Sequence, residues 1–216
     1  MAESRLRVTE VFFSLQGEAS RAGLPTVFIR LTGCPLRCGY CDTEYAFQGG
    51  EWHSIPEILA SVAQYPTRHV TVTGGEPLAQ KACTELLTAL CDAGKDVTLE
   101  TSGALDITRV DPRVARIVDI KTPGSGEVDR NLWSNLELLT PRDELKFVLT
   151  SEDDYLWAKR LLLERRLSEL CPLLFSAAWG QLDSAMLAEW MLRDGLEARL
   201  QMQLHKLLWG REARGR

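Results

Sequence analysis

Three cysteines fall within eight residues, Cys34-Pro35-Leu36-Arg37-Cys38-Gly39-Tyr40-Cys41, spaced C-x3-C-x2-C. Three thiolates can hold three irons of a four-iron cluster and leave the fourth iron open, whereas a cluster that only carries electrons normally takes four cysteines. An open iron is a place to bind and activate a substrate or cofactor. Zinc is the rival ion, but a structural zinc site wants a fourth nearby ligand. The next candidate, His53, stands twelve residues on. Further along lie Gly74-Gly75-Glu76-Pro77, Thr101-Ser102-Gly103, Asp119-Ile120-Lys121-Thr122-Pro123-Gly124 and Leu204-His205-Lys206.

The elements around these segments read as strands alternating with helices. Apolar runs at Val27–Leu31, His69–Thr73, Asp96–Glu100, Arg116–Lys121, Leu145–Leu149, Leu173–Ser176 and Ala198–Leu204 predict seven short strands. Ser54 and Glu57 form a capping box for a helix that runs to about Tyr65 and stops before Pro66. Helices are also expected over Ala79–Ala93, from the Ser151 cap to about Arg166, and over Asp183–Asp194. Strands alternating with helices point to a parallel α/β sheet or partial barrel, where sites collect at the carboxyl ends of strands. The unusual residues fall at those ends: the cysteine loop, GGEP, TSG, DIKTPG and LHK.

The chain has 216 residues, 45% of them apolar, and a net charge of −5. That length fits one domain over residues 1–216, with a flexible tail at about 211–216. The charge gives no bulk reason to expect nucleic-acid binding, and the basic tail from Lys206 is short enough to be solvated. Cys83, Cys91 and Cys171 stand singly in apolar surroundings and read as buried structural thiols. The N-terminus lacks the apolar run of a signal peptide, and no run approaches eighteen apolar residues, so no membrane association is expected. These features describe a reduced, cytoplasmic protein.

With CxxxCxYC joined to TGGEP after a later strand, the chain resembles the radical S-adenosylmethionine enzymes. The resemblance narrows with Phe13-Ser14-Leu15-Gln16-Gly17-Glu18, Arg30, Cys41-Asp42-Thr43 and Gln203-Leu204-His205-Lys206. Together these segments, spanning about residues 8–210, are similar to the 7-carboxy-7-deazaguanine synthase family of the queuosine and deazapurine pathway. The resemblance implies a partial parallel (β/α) barrel of the radical S-adenosylmethionine type, in a compact variant. It implies conversion of 6-carboxytetrahydropterin to 7-carboxy-7-deazaguanine with loss of ammonia. A deoxyadenosyl radical from S-adenosylmethionine would take a hydrogen from the substrate and later return it.

Carried over by motif, Cys34, Cys38 and Cys41 bind a 4Fe–4S cluster with one open iron. Tyr40, with Cys41 and Asp42 beside it, matches the segment near the cofactor's adenine, and Gly74, Gly75 and Glu76 the segment that meets its amino group. A missing Cβ would let that backbone approach a ligand. Gly103, then Asp119, Ile120 and Lys121, and loosely Ser176, Ala177, Ala178 and Trp179, match further cofactor contacts. Leu15, Gln16, Gly17 and Glu18 match the loop that holds the pterin, with Thr101 and His205 further substrate contacts. Arg30 matches the partner of the substrate carboxylate, where a planar fork suits bidentate pairing. An arginine inside the apolar run VFIRL also fits a polar pocket better than an unpaired burial. Thr43 matches a magnesium ligand, a hard oxygen donor of the kind Mg2+ accepts. His53, read as the start of a helix-entry loop, and His69, at a strand start, show no partner pattern.

No residue is singled out as catalytic. The partners implied are the pterin and a reducing protein such as flavodoxin or ferredoxin, and the resemblance allows a homodimer. In some members the terminal carboxylate reaches the substrate shortly after the HK motif; here the chain continues through Arg211-Glu212-Ala213-Arg214-Gly215-Arg216, so that carboxylate should lie elsewhere. Ala19 also replaces a glycine common after LQGE. Two other functions fit part of the pattern: an activase of glycyl-radical enzymes, which shares the cysteine motif and GGEP, and an iron-sensing or zinc-binding regulator, for which a basic DNA-reading face is lacking.

Overall fold

The computed structural model describes residues 4–210 and 213–215. Nine strands form one open sheet in the order β3-β1-β2-β4-β5-β6-β7-β8-β9. They are β1 (Arg5–Leu15), β2 (Pro25–Leu31), β3 (Glu51–Ser54), β4 (His69–Gly74), β5 (Asp96–Thr101), β6 (Ala115–Ile120), β7 (Glu144–Leu149), β8 (Leu173–Ala177) and β9 (Arg199–Gln201). From β2 through β9 every pairing is parallel; β1 pairs antiparallel with both β2 and β3. The helices are α1 (Ile55–Ala63), α2 (Cys83–Asp92), α3 (Glu152–Glu164), α4 (Ser184–Asp194) and α5 (Leu204–Trp209). None of the described helices is long and apolar enough to cross a membrane.

The expected caps form: Ser54 and Glu57 bond reciprocally, and the Ser151 side chain accepts from Asp154 N; Asp183, expected inside its helix, instead caps it by accepting from Ala185 N. Other expectations need correction. Strands β1 and β3 are additional, so His53 lies in a strand and not in a helix-entry loop. The helix expected over Ala79–Ala93 starts later, at Cys83. The strand expected over Ala198–Leu204 closes at Gln201, which puts LHK at the start of a short helix. Between β5 and β6, and between β6 and β7, the crossovers carry turns and 3-10 segments in place of α-helices. Proline and glycine in those stretches (Pro112, Pro123, Gly124, Gly126, Pro141) oppose longer helices.

Strand alternation separates core from site. On one face Val27, Ile29, Leu31, Val70, Val72, Val97, Leu99, Val118, Ile120, Leu145, Phe147, Leu149, Leu173 and Phe175 join one hydrophobic core. Their neighbours in sequence fall on the other face and are largely polar: Thr26, Arg30, Thr71, Thr73, Thr98, Glu100, Asp119, Glu144, Lys146 and Ser176. A register shift between Val8 and Glu10 changes the phase of β1. Leu6 and Val8 enter the core before it, whereas Glu10 bonds Arg30 beyond it. Bulges re-aim side chains in this way. The sheet curls far enough for the loop after β1 to meet the far edge. Leu204 N donates to Gly17 O at 3.0 Å, and Ala19 N to Gln201 Oε1 at 2.6 Å.

Candidate active site

A cavity of about 330 Å³ lies at the carboxyl ends of the parallel strands. The cysteine loop follows β2 and is pinned by main-chain bonds from Gly33 N to Ala46 O (2.8 Å) and Gly39 N to Ser125 O (3.0 Å). Arg37 closes it, donating to the carbonyls of Cys34 and Leu36 at 2.8 and 2.6 Å. Cys34, Cys38 and Cys41 all line the cavity as free thiols, and burial raises their pKa values. Among the described residues no three His, Cys, Asp or Glu side chains form a single-ion site. A cluster asks for something else, namely that each thiolate reach a different iron.

Glu76 has a different place from the one expected. It is fully buried, and its carboxylate accepts from Leu78 N (2.9 Å), Thr101 Oγ1 (2.9 Å), Ser102 N (2.7 Å) and Ser102 Oγ (2.5 Å). It thereby ties the GGEP turn to the TSG turn and does not line the cavity. Gly74 and Gly75 do line it, but a Cβ on Gly75 would strike Gly33 O and sit 2.8 Å from Cys34 Cβ. The glycine therefore makes room for the cysteine loop, a neighbouring stretch of chain and not a ligand. Ile120 faces the core. Gly103 lies behind the wall, its carbonyl accepting from Leu132 N at 3.0 Å. Thr101 reaches the cavity, though its hydroxyl proton goes to Glu76.

The rest of the cofactor set comes together. Tyr40, Cys41, Asp42, Asp119, Lys121, Ser176, Ala177, Ala178 and Trp179 all line the cavity. Lys121 is buried and donates to Asp119 Oδ2 at 2.9 Å, so the pair is not an exposed strand end. Burial would lower the lysine's pKa, but the Asp119 charge leaves it raised. Among the described residues neither Asp119 Oδ1 nor the Tyr40 hydroxyl has a hydrogen-bond partner, although both are buried. Unpartnered buried polar atoms beside a cavity fit a polar ligand.

The remaining lining is a network of side chains. Gln16 Nε2 donates to Thr71 Oγ1 (3.1 Å) and Glu100 Oε1 (3.4 Å), and its Oε1 accepts from Glu18 N (3.2 Å). Glu18 accepts from Lys146 Nζ, from Gln201 Nε2 at 3.0 Å and from Gln203 Nε2 at 2.6 Å. Burial alone would raise the Glu18 carboxyl; the Lys146 charge outweighs it and holds the value below the ordinary one. Glu100 goes the other way, raised by burial and then by the Glu18 charge. Lys146 in turn is depressed by burial and lifted above its usual range by Glu18.

Arg30 gives its Nε to Glu10 Oε1 at 2.7 Å, and the Tyr45 hydroxyl donates to the same oxygen at 2.8 Å. Its terminal nitrogens are left for a ligand among the described residues. The last helix locks onto both other loops. A Cβ on Gly17 would lie 2.5 Å from His205 Nδ1, and Lys206 Nζ donates to Asp42 Oδ2 at 2.5 Å. Burial lowers the His205 pKa, which favours the neutral ring at neutral pH. Asp42 is pulled up by burial but held well below the carboxylate range by Lys206. Thr43 lines the cavity and donates to Asp42 Oδ1 at 2.9 Å, with its lone pairs still available to a cation.

Leu15 completes the lining by expected residues. Residues 211, 212 and 216 of the expected flexible tail lie outside the described residues, whereas Ala213, Arg214 and Gly215 line the cavity. Sequence reasoning missed Tyr45, Thr73, Glu100 and Lys146, and it quoted Gln203 within a motif without giving it a role. Lys146 carried a usable signal, because it interrupts the apolar run ELKFVL as Arg30 interrupts VFIRL. Glu100 stood next to the TSG turn.

Residues 28–120 match the Radical SAM superfamily model. The chain is 47% identical to 7-carboxy-7-deazaguanine synthase of Chlorobaculum tepidum, with 99% of this chain and 98% of that one aligned. It is 39% identical to the protein of that name from Koribacter versatilis, over 97% and 100% of the two chains. Among solved structures it is similar to QueE from Escherichia coli, with a TM-score of 0.76, 26% identity and coverage of 93% and 95%. Streptococcus suis SuiB bound to S-adenosylmethionine, at 15% identity and a TM-score of 0.53, shares the fold over 79% of this chain and 44% of its own.

Proposed function

Because the chain belongs to the 7-carboxy-7-deazaguanine synthase family of radical S-adenosylmethionine enzymes, we propose that it converts 6-carboxytetrahydropterin to 7-carboxy-7-deazaguanine with loss of ammonia, in queuosine and deazapurine biosynthesis. The observation that carries this reading is the single cavity onto which both the three cysteines and the Gln16–Glu100–Lys146 network open. A radical site and a selective polar pocket share one volume there. When bound, a 4Fe–4S cluster and S-adenosylmethionine would supply a radical able to take hydrogen from an unactivated carbon.

The chain's own residues do the rest. Cys34, Cys38 and Cys41 hold the cluster, and Gly74, Gly75, Tyr40, Asp119, Lys121 and Ser176–Trp179 surround the cofactor. The free faces of Gln16 and Glu100 read the donor and acceptor edge of the pterin. His205, kept neutral by burial, can donate or accept a hydrogen bond without adding charge. Arg30 receives the substrate carboxylate on its free nitrogens. Thr43 would offer its hydroxyl to Mg2+, a hard cation that takes oxygen donors. A small-molecule substrate, a reduced cytoplasmic setting and a flavodoxin- or ferredoxin-like donor belong to the same reading.

The test is anaerobic reconstitution followed by incubation with 6-carboxytetrahydropterin, S-adenosylmethionine and a reductant. Formation of the deazaguanine is expected. Cofactor cleavage without it, together with a glycyl radical raised in a partner protein, would instead identify an activase.

A further inference from the structure

A second guanidinium, that of Arg214, lies beside the group formed by Arg30, Tyr45 and Glu10. Resting on the pterin reading above, we propose that Arg214 binds the substrate and shares its carboxylate with Arg30. Beyond α5, Ala213 N donates to Gly210 O at 3.4 Å, and Arg214 lines the cavity. Its guanidinium carbon stands 4.5 Å from the centroid of the Tyr45 ring, and that of Arg30 stands 5.8 Å from the same centroid. Among the described residues Glu10 is the carboxylate tied into this group, through Arg30 Nε and the Tyr45 hydroxyl. Two guanidinium groups beside one ring offer a carboxylate more charge-assisted donors than Arg30 alone.

The contact that Arg214 makes with the Tyr45 ring is weak by itself. A cation–π contact at a partly exposed ring is worth less than the entropy of ordering several residues. A carboxylate reached by both supplies the missing attraction through charge-assisted hydrogen bonds. Arg214 is thus a binding residue that recognises the carboxylate and not the pterin ring.

The test measures binding to the reconstituted holoenzyme without oxygen, using two probes: 6-carboxytetrahydropterin and tetrahydropterin lacking the carboxyl group. Arg214→Ala should weaken the carboxylated probe about tenfold, the loss of one charge-assisted hydrogen bond, and leave the other probe unchanged. Arg214→Lys, which keeps the charge, should lose less. Equal weakening of both probes would show a merely structural tail and overturn the assignment, as would no weakening of either. If the unaltered holoenzyme binds neither probe, the pterin reading itself fails and takes the inference with it.

Discussion

Around the cysteine loop the cavity wall is built from turns contiguous in sequence, whereas around Gln16 it is made of charged and amide side chains contributed from separate strands and loops. In the first region Glu76 has its carboxylate saturated by neighbouring turns, and Gly75 lets two loops interlock. In the second, Gln16, Glu18, Glu100 and Lys146 lie on the polar face of the sheet and its adjoining loop, and their charges depend on one another. On the proposed function the difference separates two tasks: the wall of turns holds the cofactor, and the wall of individual side chains selects the substrate.

The largest expected effect comes from breaking the side-chain region at its centre. Lys146→Met leaves Glu18 and Glu100 as buried carboxylates without their cation, and should cost about 3–5 kcal/mol near neutral pH. Glu18 is depressed in the folded state, so its contribution is present above the unfolded value and lost as pH falls through the lower folded value. The variant and the parent should therefore converge in stability on acidification. Urea denaturation at several pH values checks this, and a gap independent of pH would contradict it.

Arg30→Ala sharpens the comparison from the ligand side. It should cost about 2 kcal/mol of pterin affinity, the scale of a charge-assisted pair, while affinity for S-adenosylmethionine holds. Parallel titrations with both ligands decide this, and equal loss of both would erase the division between the walls. The smallest effect is expected from Gly17→Ala, whose new Cβ presses on His205 Nδ1. Overpacking of about 1 kcal/mol should appear as a raised KM for the pterin, with cofactor cleavage in its absence unaffected.

The same division decides how much could be read before the structure. The wall of turns comes from contiguous motifs, so CxxxCxYC, GGEP and DIK were legible as a set, as was the run of parallel strands. Glu76 was legible as a motif member, but its inward role was not, because its four donors come from two separate turns. Side-chain walls take one residue per strand. Thr73, Glu100 and Lys146 are scattered over three strands and acquire meaning only when alternation places them on one face. Strand β1 stayed hidden because its register shift breaks the alternation that would announce it. The approach of Arg214 to Tyr45 has no local signal, since the residues are far apart in sequence and meet only through the fold.

The central claim is that both walls face one reacting pair. It is tested most directly by giving the reconstituted protein a pterin deuterated on its reduced ring and following the label by mass spectrometry. Deuterium should pass from the pterin into deoxyadenosine and S-adenosylmethionine as the deazaguanine forms. Cofactor cleavage that never carries the substrate's deuterium would contradict the claim.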